Sequence, residues 1–520
     1  MNAIFAYRSP LQHTPPAAGD TTGEAITRRL VFVLVDALRE DTSLKGEVMP
    51  NLNALRQQGA WATMHSRPPS FSEPGYTTLL VGAWPDIHDG PSLNLEYEEI
   101  YPWTQDNLFS AVHRAGMRTA VSGYYWFEKL IPQEAVDIAF YTPGEDREAD
   151  RKVVDAAIPW LRDGDFQLIL IHLDQVDWAG HHEGGPRDPR WDAAASRADA
   201  LIGEILAELD LERDTLFVCS DHGQIDRGGH GGQDAITLIE PFIIAGAGIR
   251  PGAYADVKMV DAAPTLAAIL GANIPASSQG QVLTEMLDLS PEKIAEIEQA
   301  TANQQEQLLS AYQEAIGQPA ISVSSAGSVS TLAANYQATL EAAWTARMRG
   351  ERVVRAAVAL VVLVLLAVLI YRTWNRDSGW LVGGALIYLI LFNLRYAVID
   401  GRTYSLSSVY STTEIVSYCA ITALGAMLAS WSAIVWRLKA LRRGSMQVSE
   451  LTLALVGYVA LALSLPVLWS YVLNGAVAVW TLPDFGTVFQ AFMALLQILL
   501  IVPIGFVLAG LGALAARLVK

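Results

Sequence analysis

Acidic residues stand at the ends of several short apolar runs. Leu30–Val35 meets Asp36, Phe166–Leu173 meets Asp174 and then Asp177, and Leu216–Ser220 meets Asp221. Acids gathered at one place repel each other unless a cation sits among them. Imidazoles lie close by in the chain. Asp177-Trp178-Ala179-Gly180-His181 sets a carboxylate four residues from an imidazole, Asp221-His222 are adjacent, and Gly228-Gly229-His230-Gly231-Gly232 offers a third imidazole in a loop that glycine leaves unobstructed. Mixed Asp/His sets suit zinc, and also manganese or iron. Each fragment alone is more often a helix surface pair or a solvated histidine; the joint occurrence after strand ends is far more specific. A nucleophile candidate, Ser72, lies in the turn-rich segment Arg67-Pro68-Pro69-Ser70-Phe71-Ser72-Glu73-Pro74-Gly75-Tyr76-Thr77-Thr78, ahead of a helical run that ends at Val81-Gly82. A hydroxyl at a helix N-terminus faces free amides that favour a phosphate anion; without the acids and imidazoles, Ser72 would be an ordinary N-cap. Together these residues suit displacement at phosphorus by an activated serine, followed by attack of water or an acceptor alcohol on the phosphoseryl ester.

The elements that must hold these groups are short apolar runs alternating with helical stretches. Leu30–Val35, Arg118–Ser122, Phe166–Leu173, Leu216–Cys219 and Pro241–Ala245 are strand candidates with little polar alternation. That pattern predicts a parallel sheet covered by helices on both faces, with ligands at the carboxyl ends of the strands.

The order Asp36, Ser72, Asp177-x-x-x-His181, Ser220-Asp221-His222-Gly223 and Gly-x-His230-Gly resembles the alkaline phosphatase superfamily, in its type I phosphodiesterase and nucleotide pyrophosphatase branch. Val260-Asp261-Ala262-Ala263-Pro264-Thr265-Leu266 resembles the closing helix of that superfamily, so the likeness covers roughly residues 28–285. The resemblance implies an alkaline-phosphatase-like α/β/α sandwich with a mostly parallel sheet. It implies two divalent ions, zinc or manganese, one held by Asp36, Ser72, Asp221 and His222 and the other by Asp177, His181 and His230. It also implies a phosphate contact for Asn94, which follows His88-Asp89-Gly90. Sulfatases share this scaffold, but Tyr76 stands where their Ser-x-Pro-x-Arg signature has arginine. A phosphomonoesterase would need basic residues for two further phosphate charges; Arg39 and Arg67 are near the motifs in sequence only. The six remaining histidines, His13, His65, His88, His113, His172 and His182, read as structural or surface groups, His172 and His182 lying nearest the motifs.

The second part of the chain differs in kind. Of the 520 residues, 351–520 hold 12 Lys+Arg against 6 Asp+Glu, whereas 1–350 hold 24 against 48. An acidic surface of that size repels phosphate backbones and argues against nucleic-acid binding. The two cysteines, Cys219 and Cys419, both sit in apolar surroundings and imply no disulfide. Ala356–Tyr371, Ser378–Leu394, Ile415–Trp436, Leu451–Leu482 and Phe485–Ala516 contain no Asp, Glu, Lys or Arg, which predicts an all-α bundle of about five transmembrane helices. Arg437, Lys439, Arg442 and Arg443 make the loop after the third span cytoplasmic by the positive-inside rule. This puts the C-terminus inside and the catalytic half outside the cytoplasm. Arg347, Arg349, Arg352 and Arg355, ahead of the first span, oppose that orientation, and residues 1–30 contain no apolar signal segment. A longer reading frame, in which the opening residues are the tail of a preceding helix, would reconcile these features.

The expected organisation is an N-terminal extension over 1–27, a catalytic domain over 28–288, a helical stalk over 289–350 and a membrane domain over 351–520. Ser290-Pro291 would cap the stalk's first helix, and the Ser/Ala/Gly stretch from Pro319 to Ser330 would interrupt the stalk. The layout resembles the ethanolamine-phosphate transferases of glycolipid anchor synthesis, whose motif regions Ser72-Glu73-Pro74-Gly75 and Arg227-Gly-Gly-His230-Gly also resemble. The expected activity is therefore that of a membrane-held phosphodiesterase or phosphotransferase acting on a phosphodiester, with a phospholipid or glycolipid headgroup as substrate. An alternative of another class is a membrane transport or scaffold protein with an inactive catalytic domain; the spans carry no intramembrane charge to favour it.

Overall fold

The computed structural model describes residues 7–321, 323 and 329–519. The opening residues 1–6 and half of the Ser/Ala/Gly stretch (322 and 324–328) lie outside the described residues, and with them the longer reading frame and the interruption of the stalk. The chain divides into two compact units: Met1–Met348 with Ala478–Leu482, and Arg349–Val477 with Pro483–Lys520.

The first unit is built on one nine-stranded sheet in the order β4-β3-β5-β1-β6-β7-β2-β8, with β9 also pairing β2. The strands are β1 (Arg29–Val35), β2 (Ala60–His65), β3 (Thr119–Tyr124), β4 (Ile138–Thr142), β5 (Leu168–Leu173), β6 (Asp214–Cys219), β7 (Ile239–Gly246), β8 (Gly252–Ala253) and β9 (Val257–Lys258). From β4 to β6 every pairing is parallel, and β7 runs antiparallel to both β6 and β2. The expectation of a mostly parallel α/β/α sandwich is met, while Pro241–Ala245 is an antiparallel strand. Strands β2 and β4 are not among those expected: β2 alternates buried with half-buried residues, and the edge strand β4 carries the apolar run Ile138-Ala139-Phe140-Tyr141 although it is largely exposed.

The reason for the unbroken apolar runs is visible in β1. Leu30, Phe32 and Leu34 join one buried cluster and Val31, Val33 and Val35 join the cluster on the opposite face. Both pleat faces are covered by helices, so each residue is apolar and the period-two signal disappears. Helix α1 (Ser72–Val81) and α2 (Gln175–His182) lead away from the functional end of the sheet. Helix α3 (Pro291–Ala315), capped by Ser290 with Pro at its first turn, buries Leu308, Leu309 and Tyr312 in the first of these clusters. Residues 291–315 are thus a packed layer of the first unit and not a free stalk, because their apolar residues recur on one helical face. Tyr7 and Leu11 of the expected extension are also buried in this unit.

In the second unit α4 (Val329–Thr373, shared with the first unit), α5 (Ser378–Asn393), α6 (Thr412–Arg437), α7 (Ser445–Asn474) and α8 (Phe485–Leu518) are the helices of the five expected spans. All five are long and apolar enough to cross a membrane, the second being extended to Ile399 by a π-helical turn. The fourth differs from the expected Leu451–Leu482: α7 begins at Ser445 and stops at Asn474, where Gly475 takes a positive φ of 80°, and Ala478–Leu482 belong to the first unit. A left-handed residue ends a helix whatever the hydropathy that follows.

Candidate metal centre

The carboxyl ends of the three central strands are in step. Val35 pairs with Leu173 and Leu34 with Cys219, so continuing each strand by one or two residues brings Asp36, Asp174 and Asp221 side by side. All three are buried. Burial, followed by the charge of a neighbouring aspartate, pushes each of their carboxyls well above the ordinary range: Asp177 acts on Asp36, and Asp36 on Asp174 and Asp221. Asp177 behaves in the opposite way. Burial would raise it, but His181, His230 and His222 together hold it at about 2.

Two groups of side chains form around these acids. In the first, His222 Nε2 lies 3.2 Å from Ser72 Oγ, 3.3 Å from Asp221 Oδ2 and 3.4 Å from Asp36 Oδ1. In the second, Asp177 Oδ2 is 3.4 Å from His181 Nε2, Asp177 Oδ1 is 3.4 Å from His230 Nε2, and the two imidazole nitrogens are 2.9 Å apart. The groups adjoin, since the His222 and His230 rings stack with centroids 4.0 Å apart. Ser72 reaches the first group because it opens α1 and Gly75 lets that helix approach β6 closely; a Cβ at Gly75 would sit 2.8 Å from that of Asp221. Asn94 accepts the Glu73 N–H at 3.1 Å, next to Ser72 in the chain.

The donor set tests whether a cation fits. His222 Nδ1 meets Gly223 O at 3.1 Å and His230 Nδ1 meets Ser70 O at 2.9 Å. A carbonyl only accepts, so both Nδ1 atoms carry hydrogen and each neutral ring turns a bare Nε2 lone pair inward. Burial keeps both rings neutral, lowering His230 to about 4 and His222 well below its usual range. A bare lone pair facing two carboxylates is repulsive, and Asp36 Oδ1 and Asp221 Oδ2 have no hydrogen-bond partner. Tetrahedral coordination at 2.0–2.1 Å places ligand atoms about 3.3–3.4 Å apart, and five of the six separations above lie within 0.2 Å of that spacing. The residues fit divalent metal ions.

The outward oxygens of the same carboxylates are tied down by the protein. Asp36 Oδ2 takes the Tyr76 hydroxyl and the His172 Nε2 hydrogen, the latter at 3.1 Å, and Asp221 Oδ1 takes the Ala37 N–H at 3.2 Å. Ala37 adopts a positive φ of 59° to present it.

Residues 30–350 match the type I phosphodiesterase / nucleotide pyrophosphatase family. The chain belongs to that family. This phosphodiesterase-family chain is 29% identical over 283 residues to the catalytic subunit of human GPI ethanolamine phosphate transferase 2, a match covering 51% of the chain and 28% of the relative. The mouse GPI ethanolamine phosphate transferase 3 catalytic subunit is 27% identical, with 50% and 26% covered. GPI ethanolamine phosphate transferase 2 of Aspergillus fumigatus is 25% identical, with 55% and 41% covered. The family member therefore spans less than half the length of each of these relatives. Human ectonucleotide pyrophosphatase / phosphodiesterase 5 is a structural neighbour at TM-score 0.43 and 15% identity, covering 50% of this chain and all of that one. With its five apolar helices, this phosphodiesterase-family protein is an integral membrane protein.

Every residue singled out in the sequence falls in one of the two groups or, as Asn94 does, beside them. Three neighbours, His172, Asp174 and Tyr76, lie outside the two ligand sets that the family resemblance implies. His172, Asp174 and Asp36 offer ligand atoms within 4.8 Å of one another, and Tyr76 donates to Asp36. Asp174 had a visible signal, its place at a strand end; Tyr76 was noted only as the absence of arginine. Arg39 is held by Asp41 and by Asp226 at 2.9 Å.

Proposed function

We propose that this protein is a membrane-held phosphodiesterase or phosphotransferase with Ser72 as nucleophile and two divalent ions, zinc or manganese, held by the two groups above. The observation that carries this reading is the pair of bare imidazole nitrogens turned toward carboxylates at coordination spacing. Two ions there would supply Lewis-acid stabilisation of the attacking and leaving oxygens of an in-line displacement. Ser72 Oγ attacks phosphorus, the first alcohol departs, and water or an acceptor alcohol then attacks the phosphoseryl ester from the opposite side and restores Ser72. Asn94, whose Oδ1 accepts the Glu73 N–H beside Ser72, holds a non-bridging phosphate oxygen.

A diester is preferred to a monoester because Arg39, near the motifs in sequence, is neutralised by Asp41 and Asp226. Tyr76 is likewise engaged with Asp36, where a sulfatase reading would want arginine. The names of the relatives and the apolar helices support a lipid or glycolipid headgroup as substrate, met at the bilayer. The intact donor set speaks against a membrane scaffold with a dead catalytic domain. By the positive-inside rule the loop of Arg437, Lys439, Arg442 and Arg443 is cytoplasmic, which places the C-terminus inside and residues 28–288, as the catalytic domain, outside the cytoplasm.

The test is turnover of bis-(nitrophenyl) phosphate against the monoester by the full chain, with zinc and after chelation. Diester cleavage lost on chelation and restored by zinc is expected. Metal-dependent turnover that survives Ser72→Ala and Asp221→Ala would refute the site.

A further inference from the structure

Gln224 is fully buried and lies two residues beyond His222, yet no step of the proposed reaction uses it. Its Nε2 donates to Asp177 Oδ1 at 2.6 Å and to the Asp177 carbonyl at 3.2 Å, while its Oε1 accepts the Gly229 N–H at 3.1 Å. Only one orientation of the amide satisfies all three bonds, because a flipped group would set oxygen against two oxygens. The side chain therefore spans the helix that carries Asp177 and the glycine loop that carries His230. The surroundings are shaped to admit it. A Cβ at Gly180 would lie 1.8 Å from Gln224 Oε1, and one at Gly228 would lie 2.0 Å from the Gly180 carbonyl oxygen. Glycine at both positions lets α2 and the loop close on the amide, and a tight turn in which Ile225 N–H bonds to Gly229 O at 2.9 Å brings the loop back.

We propose that Gln224 is a positioning residue for the metal held by Asp177, His181 and His230: it fixes the Asp177 carboxylate and locks the His230 loop to the same helix. The need for such a device follows from where these ligands originate. Asp36 and Asp221 leave neighbouring strands whose register is set by ladder hydrogen bonds, but Asp177 and His230 come from a helix and an irregular loop that no ladder joins. A neutral amide suits the place: it donates to the carboxylate without competing as a cation for Asp177. Loss of partners of this kind typically costs 10–100-fold in metal affinity.

This inference rests on the two-metal reading, and one zinc titration of the metal-depleted full chain in detergent separates the two. Wild type is expected to bind two zinc ions. In Gln224→Glu, of the same shape but with a carboxylate facing Asp177, and in Gln224→Met, of similar length but without the amide, one zinc is expected to bind as before and the other 10–100-fold more weakly. Gly180→Ala should reproduce that loss by displacing the amide, and Gly180→Ala with Gln224→Ala should be no worse than Gln224→Ala alone, the signature of a shared mechanism. Turnover should recover at high zinc. Two unchanged zinc affinities in both Gln224→Glu and Gln224→Met would overturn the role of Gln224 and leave the two-metal reading standing. A wild type that binds no zinc or manganese would overturn the reading itself.

Discussion

The two groups of the candidate centre are made from the same residue types but from different architecture. Around His222 the acids Asp36 and Asp221 leave strands in register, are buried and hold their protons tightly, while Ser72 comes from the start of α1. Around Asp177 they come from a helix and a glycine loop, His181 is 37% exposed, and imidazoles hold the single acid at about 2. The sheet builds the first group as a by-product of strand pairing, whereas the second requires bridging hydrogen bonds. The first should therefore be the tighter and less accessible site, the second the more exchangeable one.

The largest effect that would sharpen this contrast is at Ser72. Ser72→Ala should lower diester turnover by about 10³-fold or more, with both zinc ions retained in elemental analysis, since the other ligands remain. Loss of metal together with turnover would show that Ser72 is chiefly a ligand. His222 is the next test, because its ring also groups with Asp177 and His230. His222→Ala should weaken both metals, whereas His181→Ala should weaken only one, by about 10–100-fold, and be rescued by added zinc. Equal behaviour of the two variants in a zinc titration would erase the distinction between the groups.

Chelation should lower the thermal midpoint of the whole chain, because ions that bind only the folded state stabilise it and their removal withdraws that stabilisation. Calorimetry with and without chelator measures this, and an unchanged midpoint would mean that no ion binds there. The smallest expected effect is at the outward oxygen of Asp36. Tyr76→Phe removes one of its two donors and should reduce metal affinity of the first group by about 10-fold, leaving the second group untouched.

Much of this centre was legible beforehand because its residues follow strands whose apolar runs are unmistakable: Asp36, Asp177, His181, Asp221, His222 and His230 all stand within ten residues or so of such an end or in a glycine motif. His172 escaped because it lies inside β5, where an isolated polar residue in an apolar run has no periodic signature. Gln224 escaped for another reason: a single amide has no spacing rule, and its partners are 47 residues upstream and five residues ahead. The packing of α3 into the first unit was hidden by its Glu- and Gln-rich composition, which suggested a solvated stalk, although its few apolar residues share a face.

The amino-acid order by itself determined the division into an acidic part with metal-ligand chemistry and an apolar part of membrane length, because hydropathy and residue type are properties of local sequence. Tertiary structure alone decided which oxygen of Asp36 and of Asp221 faces the cation site and which is tied back, since that choice depends on donors from Tyr76, His172 and Ala37 brought together by strand register and helix approach. It also ended α7 at Asn474 and gave Ala478–Leu482 to the first unit, a boundary set by the backbone conformation at Gly475 and invisible to hydropathy.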